Sequence, residues 1–460
     1  MNKTDLTKGP VIKSILLFTI PFLIGNIFST LYSVADSVIV GVCINSNAFA
    51  AIGATAGLYS FSSMIPSQFG IGFASVIAQH FGANNQKLIK KSFAMSIMLS
   101  ILISLFVTII FSVFAKPALA LFKTPTELMD MAYSYFIIVI LGLTATSLHM
   151  LFFAVLRAIG ASTPPLIFII VASVVNIICD FFFIELFNKS TMGAAVATIM
   201  SHIITIVLSA IYIIKKQPVL HIKFKDFVPD WAVIKNLLRI GFPMSTLAIT
   251  LSGGLIITQI MGNTLGTTYV TAITAGQRIS GIISCPLAAF ASSITFFVSQ
   301  NYGAGKYSRI VKGSSSVLKI CYIICAFFLT VCVFLGKPLI SVIASTTDTD
   351  IINYGYRYVV SYGIFSFALA SVFIQRGVLP GIDRVRLIPL SGVADVVGKI
   401  LPPIITFAVF SDPSMKFWGL CFTDASAWIF TMAVVSFDYL FAMRKFKKMS
   451  DRDTGVPFIH

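Results

Sequence analysis

The stretch IPFLIGNIFSTLYSVADSVIVG, residues 20–41, is an apolar run long enough to form most of a membrane-spanning helix. It holds one acid, Asp36, in an otherwise uncharged segment, and one proline, Pro21. An acidic side chain at the centre of a membrane helix costs about 2.5–3.5 kcal/mol on insertion scales, so one that is present there indicates an ion or proton site. The sequence around it should therefore contain other polar residues that converge on Asp36.

The composition is that of a polytopic protein of the cell membrane. Hydrophobic residues make up 57% of the 460 positions and charged residues 11%, whereas soluble domains have about 25% charged residues. The net charge of +16 does not predict nucleic-acid binding, because the basic residues lie in short connections between apolar runs. The seven cysteines lie mostly in apolar stretches without metal-ligand spacing, so we interpret them as core residues and predict no cofactor.

The hydropathy pattern predicts an all-α protein with twelve transmembrane helices and no large soluble domain. The predicted spans are residues 13–42, 48–80, 90–115, 130–157, 163–187, 192–214, 233–261, 267–300, 311–336, 352–376, 386–410 and 417–442.

The distribution of lysine and arginine predicts the orientation of the chain. If the N-terminus is cytoplasmic, the inner segments hold 23 of the 33 basic residues and the outer loops hold five. Because cytoplasmic loops are enriched in basic residues, both termini are predicted to be cytoplasmic.

The two halves of the chain repeat each other. Gln79–Ala83 aligns with Gln300–Ala304, Lys116-Pro117 with Lys337-Pro338, and Gly160 with Gly381, each at an offset of 221 residues. Six spans per half is an even number, so both halves insert in the same direction and form a parallel repeat. We predict an N-lobe at 1–214, a cytoplasmic linker at 215–232 and a C-lobe at 233–460, with one chain functional as a monomer.

Polar residues of three predicted spans lie at one depth with Asp36. Counted along the spans at 1.5 Å per residue, Asp36, Asp180 and Thr198 lie about 9–10 Å below the outer surface, with Tyr135 near that level. Asn176 precedes Asp180 by one turn and faces the same way. Two nearby carboxylates in a low-dielectric site share a proton or take a cation. Alternatively, Asn176 and Asp180 only bond to neighbouring helices.

Span eleven holds a second group of charged residues. Asp395 and Lys399 are four residues apart, which is the spacing of a neutralising pair on a helix. A proton or substrate site in the C-lobe is the alternative. Asp424 could pair with Lys399 or Arg278, or face a cavity.

Pro21 lies four turns before Asp36 on the first span. A proline leaves one carbonyl without its helical hydrogen bond and gives the helix a place to bend. One hypothesis is that ion occupancy at Asp36 changes the bend at Pro21, and the other is that the kink is static.

The chain resembles multidrug and toxic compound extrusion (MATE) transporters over essentially its whole length. The resemblance rests on residues 20–41, on AQHFGANN (78–85) and its repeat SQNYGAGK (299–306), and on LRAIGASTPP (156–165), NIICD (176–180) and GAAVAT (193–198). It implies two six-helix lobes around a central cavity, and export of bulky, often cationic compounds by exchange for sodium ions or protons.

The resemblance also implies a cation site in the N-lobe. The matching positions are Asp36, Asn176, Asp180 and Thr198, with Tyr135 close by, and they would hold sodium if the chain is sodium-coupled. One branch of the family has acids in helices seven and ten, whereas predicted spans 233–261 and 352–376 have none. The sequence therefore gives no support for a second ion site in the C-lobe at these positions, and whether one exists is an open question.

Two other functions compete with this one. A lipid-linked oligosaccharide flippase of the same superfamily should have a basic cavity for its diphosphate headgroup, but the polar residues deepest in the N-lobe are acids. A membrane enzyme or primary pump should carry a nucleotide or catalytic motif, and the sequence has no GxxxxGK[ST], HExxH or GxSxG. We therefore predict a transporter of organic compounds in the lipid bilayer, and not an enzyme.

Overall fold

The computed structural model describes residues 5–121, 124–187 and 190–450. The described residues form fifteen α-helices and contain no strand. Three turns of 3-10 helix, Thr126–Leu128, Pro218–Leu220 and Phe224–Phe227, lie in the connections. The helices are α1 (Val11–Cys43), α2 (Ser46–Gly82), α3 (Gln86–Val113), α4 (Ala115–Leu121), α5 (Met129–Leu141), α6 (Leu143–Ala158), α7 (Thr163–Leu186), α8 (Thr191–Lys216), α9 (Trp231–Asn263), α10 (Thr267–Gly303), α11 (Tyr307–Ala344), α12 (Thr349–Gly381), α13 (Ile388–Val409), α14 (Pro413–Cys421) and α15 (Thr423–Ser450).

The starts of several helices are set by short polar side chains that accept a hydrogen bond from a backbone N–H group of the first turn. Asn45 accepts a hydrogen bond from Ala48 N at 2.8 Å and thereby begins α2. Asn85 does the same for α3, and Asp348 for α12. An N-cap satisfies one of the N–H groups that a helix leaves without a partner, so these residues fix where long apolar helices begin.

Eleven helices among the described residues are long and apolar enough to cross a membrane, and a bent pair raises the number to twelve. The bent pair is the predicted span 130–157, which is broken at Gly142 with an angle of 49° between its two parts. The prediction of an all-α membrane protein with twelve spans is therefore confirmed, and one of the spans is broken.

The internal repeat is visible in the bounds of the helices. α2 (Ser46–Gly82) and α10 (Thr267–Gly303) begin and end 221 residues apart, and so do the starts of α3 and α11. A residue with left-handed backbone follows each of α2 and α10, namely Asn84 with φ of 56° and Gly305 with φ of 69°. The sequence offset thus marks helices that are built alike.

The chain divides into two compact units. Unit 1 comprises residues 5–6 and Leu16–Ser245, and unit 2 comprises Thr7–Ile15 and residues 246–450. The predicted lobe boundaries at 214 and 233 stay a prediction. α8 extends to Lys216 and α9 begins at Trp231, so the connection between them falls inside unit 1.

Candidate functional site: a buried pair of carboxyl groups in unit 1

Unit 1 brings Asp36 of α1 and Asp180 of α7 together. Their carboxyl groups lie within hydrogen-bonding range of each other. Asp36 is 9% exposed, and Asp180 and Asn176 are fully buried. Asn176 precedes Asp180 by one turn of α7, so the amide and the carboxyl group lie on the same face of that helix. The structure thus brings together Asp36 and Asp180, which the sequence placed at one depth, and their role as an ion site stays a prediction.

The polar atoms of this group are unsatisfied. Among the described residues, no hydrogen-bond partner is found for Oδ1 of Asp36, for either oxygen of Asp180, or for the amide oxygen and nitrogen of Asn176. Two ionised carboxylates only accept hydrogen bonds, so the contact between Asp36 and Asp180 becomes a hydrogen bond only if one of them is protonated. Buried polar groups without partners are costly, and a proton or an oxygen-liganded cation would satisfy them.

Thr198 lies on α8, which packs closely along α7. At Gly193 an added Cβ would lie 2.6 Å from the backbone N of Ile184 and from the backbone O of Phe183. Glycine is therefore required where α7 and α8 touch. The half-buried Thr198 hydroxyl donates to the backbone O of Ala194 at 3.0 Å, which leaves its oxygen free to accept or to ligate.

Tyr135 of α5 belongs to the apolar core beside this contact. Its side chain is 7% exposed and packs in one cluster with Ile184 of α7 and with Ala194 and Ala195 of α8. Ile184 follows Asp180 by one turn, and Ala194 precedes Thr198 by one turn. The structure thus places Tyr135 and Thr198 on helices next to the carboxyl pair, and their role as ligands stays a prediction.

The donor set of the predicted sodium site is two carboxyl groups, one amide and one hydroxyl. Hard cations prefer such oxygen ligands, so the residues present fit a monovalent cation as well as a proton. No group of three or more His, Cys, Asp or Glu that could hold a metal ion occurs in the part of the chain that the structure describes.

Pro21 is enclosed within α1, which continues through it from Val11 to Cys43. The neighbouring residue, Phe22, packs under the guanidinium group of Arg157, whose Cζ lies 4.0 Å from the ring centroid. Such a contact between a cation and an aromatic face is attractive. α6 therefore holds α1 at the turn that contains Pro21, and the proposed bending there stays a prediction.

Sequence analysis missed a polar cluster between α6 and α8. The rings of His149 and His202 stack with centroids 4.9 Å apart. The hydroxyl of Thr205 donates to the backbone O of His202 at 2.7 Å, so Nδ1 of His149, 2.5 Å from that hydroxyl, must be the donor of their bond. Thr146 lies 3.0 Å from Nδ1 of His202. The one signal in the sequence that could have indicated this cluster is that His202 follows Thr198 by one turn and so lies on the same face of α8.

In unit 2, Asp395, Lys399 and Asp424 each have a partner. Lys399 Nζ and Asp395 Oδ2 of α13 form an ion pair at 3.0 Å, with side chains 8% and 4% exposed. Asp424, in the first turn of α15, accepts a hydrogen bond from the Tyr358 hydroxyl at 3.2 Å. Lys399 also lies within electrostatic range of Asp424. The structure thus brings Asp395, Lys399 and Asp424 into one group, in which the basic Lys399 is adjacent to the acidic Asp395.

Comparison with known proteins gives consistent matches. A family model described as MatE matches residues 21–182 and 243–400. The probable multidrug resistance protein YpnP of Bacillus subtilis (strain 168) is 26% identical over 384 residues, which cover 82% of this chain and 84% of YpnP. The multidrug export protein MepA of Staphylococcus aureus (strain MSSA476) is 21% identical over 435 residues, which cover 93% and 94% of the two chains.

Solved structures share the fold. A crystal structure of a MATE protein in the bent conformation superposes with a TM-score of 0.87 at 20% identity, covering 98% of this chain and 99% of that one. The outward-facing conformation of a MATE family transporter superposes with a TM-score of 0.86 at 19% identity, covering 97% and 98%. The likeness extends over both units.

Proposed function

We propose, on the premise that this chain belongs to the MatE family of membrane transporters, that it exports organic and often cationic compounds from the cytoplasm. The names of YpnP and MepA as multidrug resistance and export proteins support this substrate class. The chain is a multi-pass protein of the plasma membrane, and its family consists of transporters and not of enzymes, so we assign no catalytic residue.

The observation that carries the proposal is the buried carboxyl pair of Asp36 and Asp180. Its oxygens face each other, and no basic side chain among the described residues pairs with them. A sodium ion or a proton entering from outside would remove the repulsion between the two groups. Exchange follows if the pair is vacant when the loaded protein opens outward and occupied when the empty protein returns inward, because each cycle then carries one compound out and an ion in.

The same proposal gives roles to the surrounding residues. Asn176 and Thr198 would complete the coordination of sodium, and Tyr135 would support α7 and α8 from the neighbouring core. Pro21 would let α1 bend when Asp36 gains or loses its ion. Alternating access would arise from rearrangement of the two repeated halves, and because one chain supplies both halves, a monomer would suffice.

The test is efflux of a fluorescent organic cation from proteoliposomes, with a sodium gradient and a proton gradient imposed separately. We expect one gradient to drive efflux by the native chain, and Asp36→Asn to reduce that efflux at least about 100-fold, because the amide neither carries the charge nor exchanges a proton. Asp130→Asn is the matched control, since it makes the same change at an exposed carboxylate in the first turn of α5.

The outcomes are distinct. Efflux that survives Asp36→Asn would move the coupling site away from the carboxyl pair while leaving the exporter in place. Absence of gradient-driven movement of any organic cation would instead favour the flippase. No observation on the described residues supports that alternative, whose diphosphate substrate calls for basic groups.

Thermal unfolding distinguishes sodium from protons. A sodium site predicts that sodium chloride raises the melting temperature of the native chain more than choline chloride does at equal ionic strength, because an ion that binds the folded state stabilises it. Asp36→Asn should abolish the difference. A proton site predicts no difference between the two salts.

Two further parts of the proposal concern unit 2 and the orientation. We propose that Asp395 and Lys399 form a neutral structural pair, which the 3.0 Å contact supports, and that Asp424 is held by Tyr358. We also propose that both termini are cytoplasmic, which the bias of 23 against five basic residues supports. Labelling of single cysteines placed at the two termini, from one side of the membrane at a time, tests the orientation.

A further inference from the structure

The connection between α8 and α9, residues 217–230, is folded against unit 1. The imidazole of His221 donates through Nε2 to the backbone O of Ile214 at 2.9 Å, and thereby satisfies a carbonyl at the end of α8. Leu220 is fully buried. The Lys91 ammonium of α3 donates to the backbone O of Val228. The connection is therefore an ordered surface element and not a loose loop.

The acids of this connection are used internally. The Asp226 carboxylate accepts a hydrogen bond from the backbone N of Lys223 at 2.7 Å. Asp230 caps α9 by accepting from the backbone N of Ala232 at 3.1 Å and of Val233 at 3.2 Å. Both carboxylates thus fix the local backbone, and no lysine side chain of the described residues pairs with either of them.

The lysines around the connection are exposed to solvent. Lys215, Lys216, Lys223 and Lys225 are all exposed, and none forms a salt bridge among the residues that the structure describes. These four ammonium groups lie within eleven residues of the chain and form a strongly positive surface. Clusters of this kind directly next to a membrane-spanning helix attract anionic lipid headgroups.

Large apolar side chains stand exposed among these lysines. Phe224 is 97% exposed, Trp231 74% and Val228 61%. The connection joins two helices that are long and apolar enough to cross a membrane, so both its ends lie at a membrane surface. Aromatic side chains concentrate at that interface because their rings prefer the headgroup level. Packing within the segment does not explain why Phe224 and Trp231 are exposed, whereas insertion into the headgroup region does.

We propose that residues 215–235 form an interfacial binding site for anionic phospholipid, in which Phe224 and Trp231 enter the headgroup region and the four lysines hold the phosphate groups. The inference needs only that the chain is a membrane protein, so it stands independently of the ion-coupling proposal. The buried Leu220 and the contact from Lys91 hold the segment in a fixed conformation, so a headgroup would meet a preformed site.

Quenching of Trp231 fluorescence tests the proposal with the full chain in vesicles. The chain has three tryptophans, so the signal of Trp231 is the difference between the native chain and Trp231→Phe. Vesicles contain phosphatidylcholine and phosphatidylglycerol at one fixed ratio, with bromine on the acyl chains of either the first or the second lipid. We expect brominated phosphatidylglycerol to quench Trp231 at least about twofold more than brominated phosphatidylcholine at equal bromine content.

The double variant Lys223→Gln/Lys225→Gln should remove this preference while quenching by total lipid remains. Its matched control is Lys445→Gln/Lys447→Gln, which removes two exposed lysines near the end of α15 and should leave the preference unchanged. Equal quenching by the two lipids would overturn the selectivity for anionic headgroups. Absence of quenching by either lipid would overturn the interfacial placement and favour a protein partner over Phe224 and Trp231.

A second measurement uses no tryptophan variant. Addition of phosphatidylglycerol to phosphatidylcholine vesicles should raise the melting temperature of the native chain and of the Lys445→Gln/Lys447→Gln control. It should raise that of Lys223→Gln/Lys225→Gln by less than half as much. An equal rise in all three proteins would contradict the site, because it would place the lipid effect elsewhere on the chain.

Discussion

The two units are built from repeated helices but treat their buried acids differently. In unit 1, Asp36 and Asp180 face each other, and their oxygens have no partner from a basic side chain among the described residues. In unit 2, Asp395 lies 3.0 Å from Lys399, and Asp424 accepts from Tyr358. The difference teaches that the two halves of a duplicated fold can bury polar groups of different kinds, a like pair in unit 1 and an opposite pair in unit 2.

Energetics explain why the two arrangements should serve different ends. A buried pair of opposite charges is nearly balanced, and the loss of one partner leaves an uncompensated charge in a low-dielectric medium. A pair of like groups is unbalanced from the start and gains when an ion binds. Unit 2 should therefore lose stability when an acid is neutralised, whereas unit 1 should gain it.

The largest effect is expected from Asp395→Asn. The substitution leaves the Lys399 ammonium buried without its counter-charge, which costs about 3–5 kcal/mol in the free energy of unfolding. The double variant Asp395→Asn/Lys399→Met should recover most of this loss, because neither charge then remains. Equilibrium unfolding in mixed detergent micelles measures both. A double variant as unstable as Asp395→Asn would mean that Asp395 acts through some other contact.

A smaller loss is expected from Gly193→Ala. The new Cβ would lie 2.6 Å from backbone atoms of Ile184 and Phe183, which cannot move aside, so α7 and α8 must separate. Such overpacking costs about 1–3 kcal/mol, and it should also weaken ion binding, because Asp180 and Thr198 lie on the two separated helices.

Gly53→Ala is the matched control for that substitution. Gly53 lies on α2, where an added Cβ would meet no atom of a side chain or of another helix within 4 Å, so alanine there should not destabilise unit 1. The two variants are compared by thermal unfolding with and without the coupling ion. If Gly193→Ala loses stability but binds the ion as the native chain does, then Thr198 lies outside the ion site.

A change of opposite sign is expected from Asp180→Asn. The amide can donate a hydrogen bond to the Asp36 carboxylate, and bonds to charged groups contribute about 1.5–3 kcal/mol, so the ion-free protein should become more stable by about 1–2 kcal/mol. The variant should also lose the stabilisation that the coupling ion gives to the native chain. Asp424→Asn is the comparison in unit 2 and should not become more stable.

The outcome of Asp180→Asn decides how general the comparison is. A loss of stability in both acid-to-amide variants would show that Asp180 is held by an interaction like that of Asp424, and the contrast between the units would disappear. Thermal unfolding in choline chloride, without sodium and at one pH, provides the ion-free baseline.

Sequence patterns predicted the helices and the common depth of the two acids, because both depend on signals that lie along the chain. The offset of 221 residues anticipated the matching bounds of α2 and α10. Counting residues from the ends of the spans placed Asp36 and Asp180 at one depth, and the structure brings the two side chains together. Depth along a span is a local property, whereas the adjacency of Asp36 and Asp180 depends on how the helices pack and does not follow from the sequence alone.

What the sequence left open depends on packing between distant residues. Lys116-Pro117 lies in the first turn of the short helix α4, whereas Lys337-Pro338 lies inside the continuous helix α11. Proline is tolerated at a helix start and also within a membrane helix, so the dipeptide alone does not decide between them. At Gly336 an added Cβ would lie 2.8 Å from the Tyr356 ring, and the equivalent position in unit 1 is Ala115.

The histidine pair was missed for the same reason. His149 and His202 belong to different helices, and no periodicity relates two residues that are far apart in the chain. The break of the predicted span 130–157 at Gly142 was also not anticipated, because the apolar run continues through it.

The smallest effect is expected from Arg384→Gln, and it tests whether burial or pairing explains the behaviour of unit 2. Arg384 Nη1 lies 3.3 Å from Asp438 Oδ1, but the two side chains are 32% and 16% exposed. Partly exposed ion pairs contribute about 0.2–1 kcal/mol and weaken with salt, so the loss should stay below about 1 kcal/mol and shrink further in concentrated salt. Arg386→Gln, at an exposed position with no ion pair in the described part of unit 2, should change the free energy of unfolding by less still.

A loss from Arg384→Gln as large as that from Asp395→Asn would mean that unit 2 depends on paired charges wherever they lie. The balance of charge, rather than its burial, would then separate the two units.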